Sequence, residues 1–172
     1  MDTSHSAVGT APPELVGAEE QIDDAVFVQL AHDLADALVI ASAEGTIISW
    51  NNAASELFGW PPTEAIGQPL DLIIPERFRE RHWKGYRRAM KTGHSDYAKR
   101  LLEVPAMHRD GHTISIAFTV TLLVRPGERQ PFAVAAVLRD DTVRWREHRR
   151  LTERIASLEA RAASGRRSSR RS

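Results

Sequence analysis

The chain of 172 residues contains no cysteine, so disulfides, zinc–thiolate sites, thiol nucleophiles and any chromophore tethered through sulfur are excluded. No run approaches the ~20 consecutive apolar residues that a membrane-spanning helix needs. The first residues, MDTSHSAVGTAPPEL, carry neither a basic n-region nor an apolar h-region, so a cytoplasmic protein without a secretory signal is expected. Nucleophile elbow, P-loop and HExxH motifs are missing. His148, in WREHRRL, is unlike a kinase phospho-acceptor box, and no ATP-binding sequence follows it. An enzyme is therefore not expected. Lysine is scarce, three against 20 arginines, a ratio that reflects genome composition more than function.

The formal net charge is zero, but it is unevenly placed. Residues 1–24 hold six acids and no Lys or Arg, whereas residues 143–172 hold ten Arg against three Glu. With 42% apolar and 27% charged residues, the composition is that of one soluble domain with tails.

Residues 1–22 are small, polar and Pro-containing and read as a disordered lead-in. In 23–37, Val26, Leu30, Leu34 and Ala37 recur at helical spacing behind two acids suited to a helix start. The two apolar runs of 38–50 flank a Gly-containing turn and read as a hairpin. Asn51 can cap a short helix NAASELF, and one helical turn is expected at 62–66. Pro75 suits a helix start and Gly93 a helix stop, bracketing PERFRERHWKGYRRAMKTG. Strands follow at about 97–108, 112–124 and 132–139, joined by RDG and RPGERQP. From Thr142 the pattern is helical, and His148, Leu151, Ile155, Leu158 and Ala162 form a short coiled-coil seam over 143–162. GRRSSRRS closes a basic segment, 163–172, expected to be disordered. Strands on both sides of a helical stretch give an α+β domain over 23–142, with helices on one face of an antiparallel sheet. A small ligand would sit between that sheet and the long helix.

LADALVIASAEGTIISWNNAASELFGWPPTEAIGQPL, then HRDGHTISIAFTVTLL and FAVAAVLRDDT, resemble the successive parts of a PAS domain. Asp140–Thr142 corresponds to the Asp-x-Thr that opens the signalling helix in that family. The resemblance implies a five-stranded antiparallel sheet, a sensory or dimerisation role, and flanking helices that join two copies. It also implies a separate signalling partner, such as a histidine kinase or a regulator of transcription. Over 57–93 the similarity is to the haem-binding oxygen sensors of the FixL type, through LFGW, EAIGQ, PE and R-x-R-H. This implies haem b held by His82; FAD, or no cofactor, stays open as an alternative.

The residues themselves support only part of this. Phe78, His82, Tyr86 and Met90 lie four apart and form one stripe, while Arg77, Arg81, Lys84, Arg88 and Lys91 lie off it. His82 is thereby expected to face inward, where an imidazole can ligate iron or simply pack. Gly85 would leave room for a flat macrocycle. The FixL type uses an arginine on the following strand to hydrogen-bond the gas. The ungapped position here is Leu102, with Arg100 two residues earlier, so carbon monoxide, nitric oxide or redox sensing is as compatible as oxygen sensing. The basic side chains of the long helix read as a solvated face, or as partners for haem propionates, and nucleic acid is not expected. Trp50 and Trp83 suit a core better than a flavin. His108 and His112, flanking the RDG turn, read as surface hairpin residues because two metal ligands without a third make a weak site.

Overall fold

The computed structural model describes residues 23–95 and 100–169. The expected lead-in at 1–22, the strand residues 97–99 and the last three residues lie outside the described residues. In chain order the elements are α1 (Asp24–Asp33), β1 (Ala37–Ser42), β2 (Ile47–Trp50), α2 (Asn52–Phe58), α3 (Pro62–Ala65), a 3-10 turn (Leu70–Leu72), α4 (Glu76–Thr92), β3 (Leu102–Met107), β4 (Thr113–Val124), β5 (Pro131–Asp140) and α5 (Thr142–Ser169). The five strands form one antiparallel sheet in the order β2-β1-β5-β4-β3.

Local chemistry sets most boundaries. Asp23 caps α1, its carboxylate accepting the Val26 amide at 2.9 Å. α1 stops at Asp33, four residues before the end expected, because Leu34 turns extended and Ala37 opens β1. α4 ends at Gly93, whose φ of +65° is the left-handed conformation that glycine adopts without a Cβ penalty. The edge strand β3 carries Pro105, tolerated there because an edge amide need not pair. α5 continues to Ser169, past the end expected at 162; Ala160, Ala162, Ala163 and the arginines among them are strong helix formers.

One face of the sheet is covered. Val39, Ile47, Trp50, Ala54, Phe58, Ile73, Ile114, Ile116 and Leu138 bury a cluster beneath α2, α3 and the 3-10 turn. A second, separate cluster joins Ala41 of β1 to Tyr86 and Met90 of α4, with Leu122 and Val134 packed on it. Asn51 is the buried joint of the N-terminal half. Its Oδ1 accepts the amides of Leu38 and Ala54, and its Nδ2 donates to the carbonyls of Ala31 and Asp36. One side chain thus ties α1, β1 and α2 together.

The flanking helices keep exposed apolar faces. Phe27 and Leu30 of α1 are more than half exposed, as are Leu151, Ile155 and Leu158 of α5 at 60%, 56% and 55%. His148 of the expected seam is exposed as well, and the side chain of Ala162 lies outside the described residues. No helix among the described residues is long and apolar enough to cross a membrane.

Candidate functional site

The long helix α4 sorts its side chains as its periodicity requires. Arg77, Arg81, Lys84, Arg87, Arg88 and Lys91 are exposed; Tyr86 and Met90 are buried; His82 and Trp83 are half-buried. Tyr86 spans to β1, its hydroxyl donating to the Ser42 carbonyl at 2.6 Å. Burial, reinforced by the negative charge of Glu44, pushes its phenol up to about 12. Trp83 reaches across the β1–β2 turn. Its indole lies so close over Gly45 that a Cβ there would come within 2.2 Å of the ring, and its Nε1 donates to Asp71 at 2.8 Å.

His82 lies between these two aromatics, its ring 5.0 Å from that of Trp83 and 5.6 Å from that of Tyr86. Its Nδ1 is buried and has no hydrogen-bond partner among the described residues. Burial lowers its pKa, against a smaller opposing pull from Asp71, so the ring is held as neutral imidazole with a lone pair available. This is the state in which an imidazole ligates a metal. The inward direction read from the stripe is therefore found.

The stripe does not, however, stay together. Phe78, one turn before His82, is half-buried under the Arg77 guanidinium, which stands 4.7 Å from its ring centroid. It lines a cavity of about 490 Å³ together with Val104 and Ile114 of the sheet and Thr142, Trp145 and Arg146 of α5. Phe78 thus belongs to the junction with the exit helix, while Tyr86 and Met90 belong to the second core cluster. Angular drift, roughly 40° over each four-residue step, separates the two ends.

On the covered face of the sheet, Leu102, Phe118, Val120 and Leu122 are all half-buried and apolar, and Leu122 packs on the cluster of Tyr86 and Met90. Leu102 opens β3 on this face, since it pairs with Phe118 and through it with Leu138. Arg100 is exposed and precedes β3, so it does not share the strand face with Leu102 as expected. Gly85 is exposed, in a shallow groove with Arg81, Lys84 and Arg88 on the outer side of α4, and leaves no space toward the sheet. Met107 pairs with Thr113 on the opposite sheet face from Leu102 and cannot approach His82. Trp50 is core, tilted on Phe58 at 5.3 Å, with its Nε1 donating to the Trp60 carbonyl.

The joint to the exit helix is fully bonded. The Ser115 amide of β4 donates to Thr142 Oγ1 at 3.1 Å, and the Asp141 amide donates to the Ser115 carbonyl at 2.8 Å. The Thr142 amide donates to Asp140 Oδ1 at 2.8 Å. Arg144 bonds both Asp141 and Glu103 of β3. The role of Asp141 and Arg144 in locking the helix was not read from the sequence. Their i, i+3 spacing is the one signal that could have shown it.

The chain is 33% identical over 141 residues to an uncharacterised protein of Azorhizobium caulinodans, covering 81% of this chain and 19% of that protein. It is 28% identical over 151 residues to the sensor protein FixL of Bradyrhizobium diazoefficiens, covering 84% of this chain and 28% of FixL. The chain thus spans less than a third of either curated relative. Among solved structures, a PAS domain from Colwellia psychrerythraea superposes with a TM-score of 0.58 at 24% identity, covering 67% of this chain and 94% of that one, a likeness of fold. The family model of the PAS fold matches residues 25–140. The chain belongs to the PAS family and is a homologue of the FixL sensor protein.

Proposed function

We propose that the chain is a sensory module in which His82 holds haem b, and that the state of that group reaches a separate partner through α5. The observation that carries this reading is the half-buried imidazole of His82 on the inner side of α4, with a buried Nδ1 that has no hydrogen-bond partner among the described residues and a pKa that burial lowers. The residues fit the group: Leu102, Phe118, Val120 and Leu122 line up half-buried and apolar on the covered face of the sheet, and the homologous FixL is a sensor protein. Haem, when bound, supplies an iron centre that takes diatomic gases or changes oxidation state.

The chain's own residues then do three things. His82 positions the group, and Met107 faces away and supplies no second ligand. Leu102 presents no donor, and Arg100 is exposed outside the strand. Selectivity for oxygen is accordingly not expected, and carbon monoxide, nitric oxide or redox state is the better-matched signal. β4 connects the pocket to the output. Phe118 and Val120 belong to that apolar row, and Ser115 of the same strand holds Thr142 at the root of α5. The exposed Leu151, Ile155 and Leu158 provide the surface through which a second copy would read a movement of α5.

The test is an absorbance spectrum of the purified chain, alone and after haem addition. An intense Soret band is expected, lost in His82→Ala while the far-UV circular dichroism stays folded, and regained with imidazole. A band that persists unchanged in His82→Ala would sink the assignment of the ligand. A second reading rests on Tyr86, whose hydroxyl closes α4 onto β1 and fills the pocket from within. It makes the chain a cofactor-free interaction module, and a colourless folded protein that takes up neither haem nor FAD would favour it.

A further inference from the structure

We propose that the β3–β4 hairpin is a binding site for a borderline divalent transition ion such as Zn²⁺, held by His108, Asp110 and His112. Among the described residues these three form the one group of metal-capable side chains, with ligand atoms that all lie within 4.8 Å of one another. None of them takes part in the His82 pocket.

The turn builds the group. His108 and His112 face each other across the hairpin, the His108 amide donating to the His112 carbonyl at 3.0 Å. The reversal closes through Gly111, at φ +89°, whose amide donates to the His108 carbonyl. The two rings stack with centroids 4.6 Å apart. Asp110, between them, turns its Oδ1 onto both Nδ1 atoms: 2.9 Å to that of His108, and in contact with that of His112. This third ligand was absent from the sequence reading of His108 and His112 as plain surface residues.

The protein also orients the donors. The Cε1–Nε2 edge of His108 rests on Gly59, where a Cβ would come within 2.7 Å of both atoms, so Nδ1 is the nitrogen left for the cluster. Arg109 clamps the hairpin to α2 and α3. Its amide donates to the Phe58 carbonyl at 2.9 Å, and its guanidinium lies 2.8 Å from Glu64 and 5.0 Å from the Trp60 ring centroid. A rigid frame lowers the entropy lost when an ion is taken up.

Lone pairs converge at the centre. The Asp110 amide lies 3.3 Å from His108 Nδ1 and donates to it only in the tautomer that leaves that nitrogen unprotonated. Oδ1, 2.9 Å from the same nitrogen, is an acceptor as well. A cation between them satisfies all three donor atoms at once. Bonds of about 2.0–2.2 Å place ligand atoms roughly 3–3.5 Å apart, so a small rotation of the exposed Asp110 and His112 side chains opens the set. Two imidazole nitrogens and one carboxylate favour Zn²⁺, Co²⁺, Ni²⁺ or Cu²⁺ over the oxygen-seeking Mg²⁺ and Ca²⁺. Three protein ligands leave an open position.

Titration calorimetry of the full chain with zinc chloride tests this, beside Co²⁺ uptake followed by its visible ligand-field bands. One Zn²⁺ per chain is expected. His112→Ala and Asp110→Asn, both on exposed side chains, should each weaken binding at least about 10-fold with an unchanged far-UV spectrum, and His148→Ala should leave it as it was. Absence of zinc uptake by the native chain would overturn the proposal, as would His112→Ala and Asp110→Asn variants that bind as tightly as it does. Because His82 is untouched, the haem spectrum is expected to be the same in all three variants, and its loss would belong to the other pocket.

Discussion

Replacing Asn51 with alanine removes four hydrogen bonds from one buried point, two accepted and two donated. The lost cap of α2 costs about 1 kcal/mol. The Leu38 amide, left without its partner at the start of β1, costs about 1–3 kcal/mol. The carbonyls of Ala31 and Asp36 lie toward the surface, where water replaces much of what they lose. A destabilisation of about 3 kcal/mol is expected, enough to lower the melting temperature of a domain this size by roughly 10 °C. Asn51→Asp separates the contributions, because a carboxylate still accepts from Leu38 and Ala54 but cannot donate to Ala31 and Asp36. Its expected cost is about 1–2 kcal/mol. Urea unfolding followed by circular dichroism measures both, with the slope of the transition unchanged from the native chain. A loss below about 1 kcal/mol for Asn51→Ala, or a larger loss for Asp than for Ala, would refute the account of Asn51 as a joint held by accepted bonds.

Tyr86 carries an alkaline signature. Its folded pKa of about 12 lies above the ordinary phenol value of about 10, so the folded state holds the proton more tightly. The stabilisation is present below pH 10 and lost as pH rises toward 12; Tyr86→Phe should remove that loss while lowering stability at neutral pH by about 1 kcal/mol. Parallel urea midpoints at pH 8 and about 10.5 check it, and an unchanged alkaline slope in Tyr86→Phe would contradict it. The full chain is expected to be a dimer and the chain lacking residues 1–36 and 143–172 a monomer, because the deletion removes the exposed apolar faces of α1 and α5. Light scattering reads the outcome, and an identical oligomeric state in both chains would refute the assignment of the interface to the flanking helices.

The elements of this fold are set by short-range rules, and they were legible for that reason. Pro75 and Gly93 bracket α4 within a residue of its observed limits, because a missing amide and a left-handed φ act locally. Asn51 at the head of α2 and the turns at RDG and RPGERQP likewise follow from the residues beside them. The inward side of His82 came from helical period alone. What the period could not show was distance through space. Phe78 shares a cavity with the first turn of α5, and Trp83 covers Gly45, 38 positions away in the chain. Arg100 falls outside the pocket because β3 starts at Leu102. Asn51 gains its bonds to Ala31 and Asp36 only when α1 docks on the sheet. The convergence of His108, Asp110 and His112 depends on which way three side chains turn around a hairpin. Sequence fixes what is near along the chain; the orientation of a side chain is decided by whatever distant segment, here Gly59 and the α2–α3 clamp, packs against it.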